Sequence, residues 1–127
     1  MDKKTGSILI VDDDDDILVA GKLLLKRHFE AVVTVNRPEH IPKLFEDRIF
    51  DAILLDMNFG SGETSGLEGL DWLQRILEMD PDAVVILITA HSAVDTAVNS
   101  MKLGATDFIE KPWQNEKLLA TLNAAVQ

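Results

Sequence analysis

The stretch ILIVDDDDDILVA, residues 8–20, decides the fold. Its first four residues, Ile8–Val11, are apolar without interruption, which is typical of a strand that is covered on both faces of a parallel sheet. Five aspartates follow, and from Ile17 onward apolar residues return with the spacing of a helix. A buried strand that leads through a polar turn into an amphipathic helix is typical of an α/β fold.

The same alternation of an apolar run and an amphipathic stretch continues to the end of the chain. The first helix is predicted from Ile17 to about His28. Five strands and five helices in alternation predict a doubly wound α/β sandwich, with a parallel sheet between two layers of helices. The five predicted strands are Ile8–Val11, Val32–Val35, Ala52–Leu55, Val84–Ile88 and Thr106–Ile109.

Apolar stripes place the other four helices. The second helix has the weakest pattern, because Pro38 and Pro42 crowd its start and leave a short stripe. The fourth helix is predicted to end near Gly104. The stripes of the third, fourth and fifth helices are Leu70, Leu73, Ile76 and Leu77, then Val94, Ala97, Val98 and Met101, then Leu118, Leu122, Ala125 and Val126.

Composition and charge limit the class of protein. The 127 residues are 46% hydrophobic, which is enough for one core, and 22 acidic residues against 12 basic ones give a formal net charge of −10. A surface this negative repels the phosphates of nucleic acid, and there is no cysteine for a disulfide or a thiolate metal site. No apolar run approaches the roughly 20 residues of a membrane span. We expect one cytoplasmic domain over residues 1–127, with a polar leader at 1–6 and a Gly/Ser-rich inserted loop at 59–66.

Polar side chains stand where the predicted strands end. Asp12 and Asp13 follow the first strand, Asp56 the third, Thr89 the fourth and Lys111 the fifth. The carboxyl ends of parallel strands lie at one edge of the sheet, where open α/β folds bind their ligands. We therefore expect three carboxylates, a hydroxyl and an ammonium to meet at this edge.

Electrostatics predict a cation among these groups. Two carboxylates about 4 Å apart repel each other by about 1 kcal/mol in water and by about 4 kcal/mol at an effective dielectric near 20. Lys111 offers one positive charge, and Mg²⁺, a hard cation that prefers oxygen ligands, offers two more. An ionised Asp56 beside these charges is arranged as an oxygen nucleophile that could form an aspartyl phosphate.

Four motifs in register make the chain resemble the receiver domain of two-component response regulators. They are ILIVDD at 8–13, LLDMN at 54–58, LITA at 87–90 and GATDFIEKPW at 104–113. The last part of the chain is most similar to the N-terminal receivers of sigma-54-activating, NtrC-type transcriptional regulators. The resemblance covers nearly the whole chain and implies the flavodoxin-like strand order 2-1-3-4-5.

The resemblance implies a role for each acid and for the lysine. Asp56 accepts the phosphoryl group from a sensor histidine kinase, and Lys111 pairs with a phosphoryl oxygen. Asp12, Asp13 and Asp56 hold Mg²⁺ together with the main-chain carbonyl of Asn58.

The resemblance also implies how the signal leaves the site. Thr89 turns its hydroxyl toward the phosphoryl group, and Phe108 rotates inward to fill the space. The change then reaches the face formed by the fourth helix, the fifth strand and the fifth helix, which controls an output domain, a partner or a homodimer. The Lys111–Pro112 peptide bond is expected to be cis, an isomer found in only about 5–6% of X–Pro bonds in folded proteins. The implied function is a switch in transcription regulation, with self-catalysed phosphotransfer and slow autodephosphorylation but no enzymatic turnover.

The sequence departs from the family pattern after the acceptor motif. The family usually has a Met-Pro pair there, whereas this chain has Phe59-Gly60 followed by the Gly/Ser stretch. The longer loop leaves two candidates, Gly66 and Gly69, for the family's glycine.

Each site residue also has a plainer interpretation. Within the aspartate run, Asp14 is interpreted as solvated, and Asp15 and Asp16 as residues that cap the first helix and interact with its dipole. The other plain interpretations are a strand cap for Asp56, a structural salt bridge for Lys111, a turn hydroxyl for Thr89 and ordinary core packing for Phe108.

Other functions stay open at this point. A degenerate receiver that acts as a constitutive docking module would keep the fold and lose the metal or the acceptor. A phosphatase of the haloacid dehalogenase type also uses an aspartate nucleophile with magnesium, but it needs a second aspartate where this chain has Asn58. A flavin-binding protein of flavodoxin type is disfavoured, because no Ser/Thr-rich phosphate loop follows the first strand.

Overall fold

A computed structural model describes residues 6–57, 67–90 and 94–126, and within these ranges five strands alternate with five α-helices. The strands are β1 Ser7–Val11, β2 Ala31–Val35, β3 Ala52–Asp56, β4 Val85–Ala90 and β5 Asp107–Lys111. The helices are α1 Asp15–Leu25, α2 Ile41–Asp47, α3 Leu67–Met79, α4 Val94–Ser100 and α5 Asn115–Val126. Short 3₁₀ turns at Pro38–His40 and Met101–Leu103 lead into α2 and out of α4.

The five strands form one parallel sheet in the order β2-β1-β3-β4-β5. The predicted doubly wound, flavodoxin-like arrangement is therefore confirmed. β1 lies inside the sheet, where Val11 pairs with Val35 of β2 on one side and with Leu55 of β3 on the other. Because the strands are parallel, their carboxyl ends, with Asp56 and Lys111 among the last residues, lie at the same edge.

Alternate residues of the sheet pack into two separate cores. In β1, Ile8 and Ile10 belong to the core under α1 and α5, whereas Leu9 and Val11 belong to the core under α2, α3 and α4. All four side chains are fully buried. Successive strand residues point to opposite faces, so a strand covered on both faces needs an uninterrupted apolar run.

Three strands extend further than the apolar pattern predicts. Asp56 pairs with Ile88, and the ladder between β4 and β5 continues through Thr89 and ends where Ala90 pairs with Lys111. Backbone pairing persists for one or two residues after the side chains become polar, and the apolar pattern cannot detect that. Asp56, Thr89 and Lys111 are therefore held by the sheet rather than by loops.

The first helix differs from the prediction at both ends. It begins at Asp15 because the carboxylate of Asp14 accepts a hydrogen bond from the N–H of Asp16, which makes Asp14 the N-cap. The assignment of Asp15 and Asp16 as caps is wrong, although both lie in the first turn, where the helix dipole favours acids. The helix ends at Leu25, whose carbonyl accepts hydrogen bonds from the N–H groups of His28 and Phe29 in the turn that follows.

The fourth helix is shorter than predicted. Regular α-helix ends at Ser100, and the 3₁₀ turn that follows is closed by Gly104, which has a φ of +113°. Ala97 is buried as its stripe predicts, but Val98 is 48% exposed. A helix of two turns buries only a narrow face, and here that face includes Ala97 and Ser100.

Some expectations lie outside the described residues. They concern residues 1–5 of the leader and the inserted loop at 59–66. In the described part of the chain, no helix has both the length and the apolar character needed to cross a bilayer.

Candidate functional site

Lys111 joins two aspartates at the carboxyl edge of the sheet. Its Nζ lies 3.0 Å from Oδ2 of Asp12 and 3.1 Å from Oδ1 of Asp56. Both aspartates are buried, whereas 25% of the Lys111 side chain is exposed. Two carboxylates withdrawn from water need a partner of opposite charge, and one ammonium in contact with both supplies it.

The loop between β1 and α1 holds Asp12 from both ends. The main-chain N–H of Asp12 donates to the carbonyl of Val35 at 3.2 Å, which continues the contact between β1 and β2. The N–H of Asp14 donates to Oδ1 of Asp12 at 2.9 Å. With Oδ2 directed at Lys111, the Asp12 carboxylate has a defined orientation.

Asp13 completes a group of three acids. One carboxylate oxygen each from Asp12, Asp13 and Asp56 lie within 4.8 Å of one another. Asp13 is exposed, so the group opens to solvent beside two buried members. All three donors are carboxylate oxygens, and the donor set therefore fits Mg²⁺, which prefers a few carboxylates together with water. The remaining predicted ligand, the carbonyl of Asn58, lies outside the described residues.

The carboxyl group of Asp12 has a perturbed pKa. Burial raises the pKa above its ordinary value of 3.8, and the negative charge of Asp13 adds to the rise. The hydrogen bond from Asp14 and the ammonium of Lys111 act in the opposite direction but do not cancel it. The pKa of Asp12 is therefore raised chiefly because burial disfavours the charged carboxylate.

The ammonium of Lys111 has a pKa above its ordinary value of 10.5. Burial by itself lowers the pKa, but the charges of Asp56 and Asp12, with the hydrogen bonds to them, outweigh burial. The lysine is therefore held in its charged form next to the two carboxylates.

Thr89 lies near this edge on β4, whereas Phe108 lies on β5 three residues before Lys111. Thr89 is fully buried, and its hydroxyl donates to the carbonyl of Ala90 at 3.2 Å. Phe108 pairs in register with Leu87, is half-buried, and packs against the core under α2, α3 and α4. The Lys111–Pro112 peptide bond is cis.

The sequence left open whether Gly66 or Gly69 matches the family's glycine, and the structure gives a reason for a glycine at position 69. Gly69 is the third residue of α3, and its N–H donates to the carbonyl of Met57 at 3.2 Å. The strand end that carries Asp56 is thus bound to the first turn of α3. Gly69 directly precedes Leu70, the first residue of the predicted stripe, and that position was the signal available in the sequence. Gly66 lies outside the described residues.

Comparison with known proteins agrees with the family resemblance of the sequence motifs. The family model described as Response regulator receiver domain matches residues 8–123. The chain is 35% identical over 116 residues to the alginate biosynthesis transcriptional regulatory protein AlgB of Pseudomonas aeruginosa, a match that covers 91% of this chain and 25% of that protein. It is 32% identical over 126 residues to the transcriptional regulatory protein ZraR of Klebsiella oxytoca, covering 99% of this chain and 27% of that protein. The chain thus spans about a quarter of the length of these relatives.

Solved structures with the same fold include two receiver domains. The N-terminal signal receiver domain of a two-component response regulator from Bacteroides fragilis has a TM-score of 0.88 and 41% identity, with 98% of each chain covered. The receiver domain of NtrX from Brucella abortus has a TM-score of 0.83 and 30% identity, with 94% of this chain and 97% of that chain covered.

Proposed function

Because the chain belongs to the receiver-domain family of two-component response regulators, we propose that it is a phosphorylation-dependent switch with Asp56 as the phosphoacceptor. The observation that carries the proposal is the contact of Lys111 Nζ with both Asp12 and Asp56 at one buried edge. This contact puts a cation beside the oxygen that would attack and beside the oxygens that would gain negative charge. Response regulators take their phosphoryl group from sensor histidine kinases, so we assign such a kinase as the partner of Asp56.

The proposed transfer forms one bond and breaks one bond. A carboxylate oxygen of Asp56 attacks the phosphorus of the kinase's phosphohistidine while the P–N bond breaks. The electron pair of that bond stays on the histidine nitrogen. The leaving group is neutral imidazole if the other ring nitrogen carries a proton, and otherwise the freed nitrogen takes a proton from water. Negative charge gathers on the phosphoryl oxygens, and the Lys111 ammonium, 3.1 Å from Asp56, stabilises it.

Asp12, Asp13 and Asp56 are the residues that would hold Mg²⁺, together with the carbonyl of Asn58. Receiver domains bind Mg²⁺ at a cluster of aspartates, and these three acids form such a cluster. When bound, Mg²⁺ supplies positive charge that neutralises phosphoryl oxygens. The role of the protein's own residues is to keep the carboxylates ionised and close together. Lys111 and the N–H of Asp14 contribute to this by their contacts with Asp12.

Thr89 and Phe108 are the proposed relay. Phosphorylation adds about two negative charges at an edge that is already acidic. Thr89 would exchange its hydrogen bond to the Ala90 carbonyl for one to a phosphoryl oxygen. Phe108 lies half-buried on the neighbouring strand, and it would rotate inward when the threonine side chain moves.

The proposed output surface is the face of α4, β5 and α5. Val98 of α4 is 48% exposed and Leu103, in the turn that follows α4, is 46% exposed, so α4 and the turn after it present apolar side chains that a partner could bury. We propose that phosphorylation changes the affinity of this face for an output domain or for a second copy of the chain. Since AlgB and ZraR are transcriptional regulators and the chain spans about a quarter of their length, transcription regulation is the proposed output, with residues 1–127 as one receiver domain that does not itself bind nucleic acid.

Acetyl phosphate tests the proposal. The purified chain is incubated with acetyl phosphate, with and without MgCl₂, and its mass is measured. We expect the mass to rise by one phosphoryl group only with MgCl₂, and we expect Asp56→Asn to abolish the rise. Asp82→Asn is the matched control. It changes an exposed aspartate just after the end of α3 and should be labelled like the wild type.

Two results would contradict the proposal. If the wild type gains no mass, or if Asp56→Asn gains as much mass as the wild type, the constitutive docking module would be favoured. Continuous release of phosphate from a phosphate monoester would instead favour a phosphatase.

A further inference from the structure

Trp113 packs against Gly21 of α1. A β-carbon at position 21 would lie 3.7 Å from Cη2 and 3.8 Å from Cζ2 of the indole, and 3.0 Å from Cδ1 of Ile10. The six-membered ring of Trp113 therefore lies over Gly21 at van der Waals distance, and the end of the Ile10 side chain lies closer still. Gly21 lies in the middle of α1, and only the flexible end of Ile10 would come closer than ordinary van der Waals contact to a β-carbon there.

Trp113 and Gly21 both lie close along the chain to residues of the candidate site. Trp113 stands two residues after Lys111, with Pro112 between them. Gly21 belongs to the helix that directly follows the aspartate loop, and Ile10 precedes Asp12 by two residues on β1. The contact therefore joins the segment that carries the cation to the segments that carry Asp12.

Lys111 needs such support because of its place in the sheet. It is the last residue of β5, which in the described residues is an edge strand paired with β4 alone, and its ladder partner Ala90 is the last residue of β4. Residues 112–114 belong to neither strand nor helix, and α5 begins at Asn115. Lysine also has a long, flexible side chain with many rotamers, so the contact of Nζ with both carboxylates depends on how firmly its main chain is held.

We propose that Trp113 is a positioning residue that keeps Lys111 Nζ at bonding distance from Asp12 and Asp56. This inference rests on the proposed phosphoacceptor function, because the position of Lys111 matters for the transfer to Asp56. The alternative role for Trp113 is to fill the core under α1 and α5, against which it also packs. The two roles differ in one respect: a positioning residue acts only while Lys111 is present.

A double-mutant cycle measures this dependence. The rate of labelling by acetyl phosphate at fixed MgCl₂ is measured for Trp113→Ala and Trp113→Leu, each with Lys111 intact and with Lys111→Met. With Lys111 present we expect the rate to fall roughly tenfold or more, since a displacement of about 1 Å in a reacting group can cost up to a hundredfold. With Lys111→Met we expect the same changes at Trp113 to alter the residual rate by less than about twofold. Trp113→Leu keeps an apolar side chain on the core and serves if Trp113→Ala does not fold.

Two further variants complete the test. Trp113→Phe retains an aromatic ring and should restore a rate close to that of the wild type. Trp72→Ala removes the other tryptophan, which lies on α3 with the guanidinium of Arg75 4.8 Å from its ring, and should leave the rate unchanged. A crystal structure of metal-free Trp113→Leu should show Lys111 Nζ farther than about 4 Å, the limit of a salt bridge, from at least one of Asp12 and Asp56.

The outcomes separate this inference from the function on which it rests. A wild-type chain that is not labelled at Asp56 would overturn both. A labelled wild type with an unchanged rate in Trp113→Ala and Trp113→Leu would overturn only the role of Trp113. An equal slowing with and without Lys111 would also overturn it, because the tryptophan would then act through the general packing of the core.

Discussion

Gly69 lies directly against the main chain of Met57. A β-carbon at position 69 would be 2.5 Å from Cα and 2.7 Å from the carbonyl oxygen of Met57, which is closer than real atoms approach. Met57 directly follows β3, so the approach of α3 to the end of that strand depends on the absence of a side chain at Gly69.

We expect Gly69→Ala to lower the free energy of unfolding by about 2 kcal/mol, because the backbone of Met57 must move to admit the methyl group. Urea unfolding monitored by circular dichroism measures the change. Gly21→Ala is the matched control, since its methyl group would meet only side chains, and the tightest contact is with the flexible end of Ile10. Equal unfolding curves for Gly69→Ala and the wild type would contradict the close approach.

Lys111→Met should destabilise the metal-free chain. It leaves the buried carboxylates of Asp12 and Asp56 without the ammonium that contacts both, and loss of one partner of a buried ion pair costs about 3 kcal/mol. The same variant should bind Mg²⁺ more tightly than the wild type, because a competing cation has been removed. Urea unfolding in EDTA and a magnesium titration test the two effects.

The exposed Lys117 offers a control for that experiment. Lys117→Met removes the same charge on α5, where we expect a change within about 0.5 kcal/mol. Similar stabilities for Lys111→Met and Lys117→Met would mean that the ion pairs of Lys111 do not stabilise the fold.

Asp12→Asn should stabilise the metal-free chain at neutral pH. Burial raises the pKa of Asp12 in the folded state, so the folded chain holds this proton at a pH where the unfolded chain has released it. The contribution of Asp12 to stability is therefore complete below its ordinary pKa of 3.8 and is lost as the pH rises through the higher folded value. Asparagine does not titrate, and the advantage of the variant should grow between acid and neutral pH.

Urea unfolding in EDTA across this pH range measures the difference. Asp82→Asn reports what removal of an exposed negative charge does by itself. A difference between Asp12→Asn and the wild type that shrinks toward neutral pH would have the wrong sign for a carboxyl group whose pKa burial has raised.

Magnesium should stabilise the chain through the three clustered acids. At a concentration ten times its Kd, a ligand that binds only the folded state adds about 1.4 kcal/mol. Asp13→Asn should reduce this gain, whereas Asp16→Asn, the same change of charge in the first turn of α1, should keep most of it. Thermal unfolding with MgCl₂, against NaCl of equal ionic strength, provides the measurement. Equal gains for the two variants would place the cation elsewhere.

The parts of the fold that the sequence predicted are those with a strong local signal. The apolar run of β1 and its position before Asp12 predicted a strand covered on both faces, and both cores include β1 residues. The stripe of α5 predicted its buried residues Leu118 and Leu122. The parts that it missed depend on hydrogen bonds or neighbours: the cap at Asp14, the exposure of Val98, and the extension of the strands to Thr89 and beyond.

The candidate site was also predicted only in part from the sequence. The order of residues along the chain, with acids after two strands and a lysine after the fifth, determined which groups meet at one edge, because parallel strands bring their carboxyl ends together. Only the tertiary structure decided that one ammonium contacts both Asp12 and Asp56, and that Trp113 and Gly69 meet partners from distant segments. Distances of this kind depend on how the strands pair and how the helices pack on the sheet, and no local pattern of residues records either.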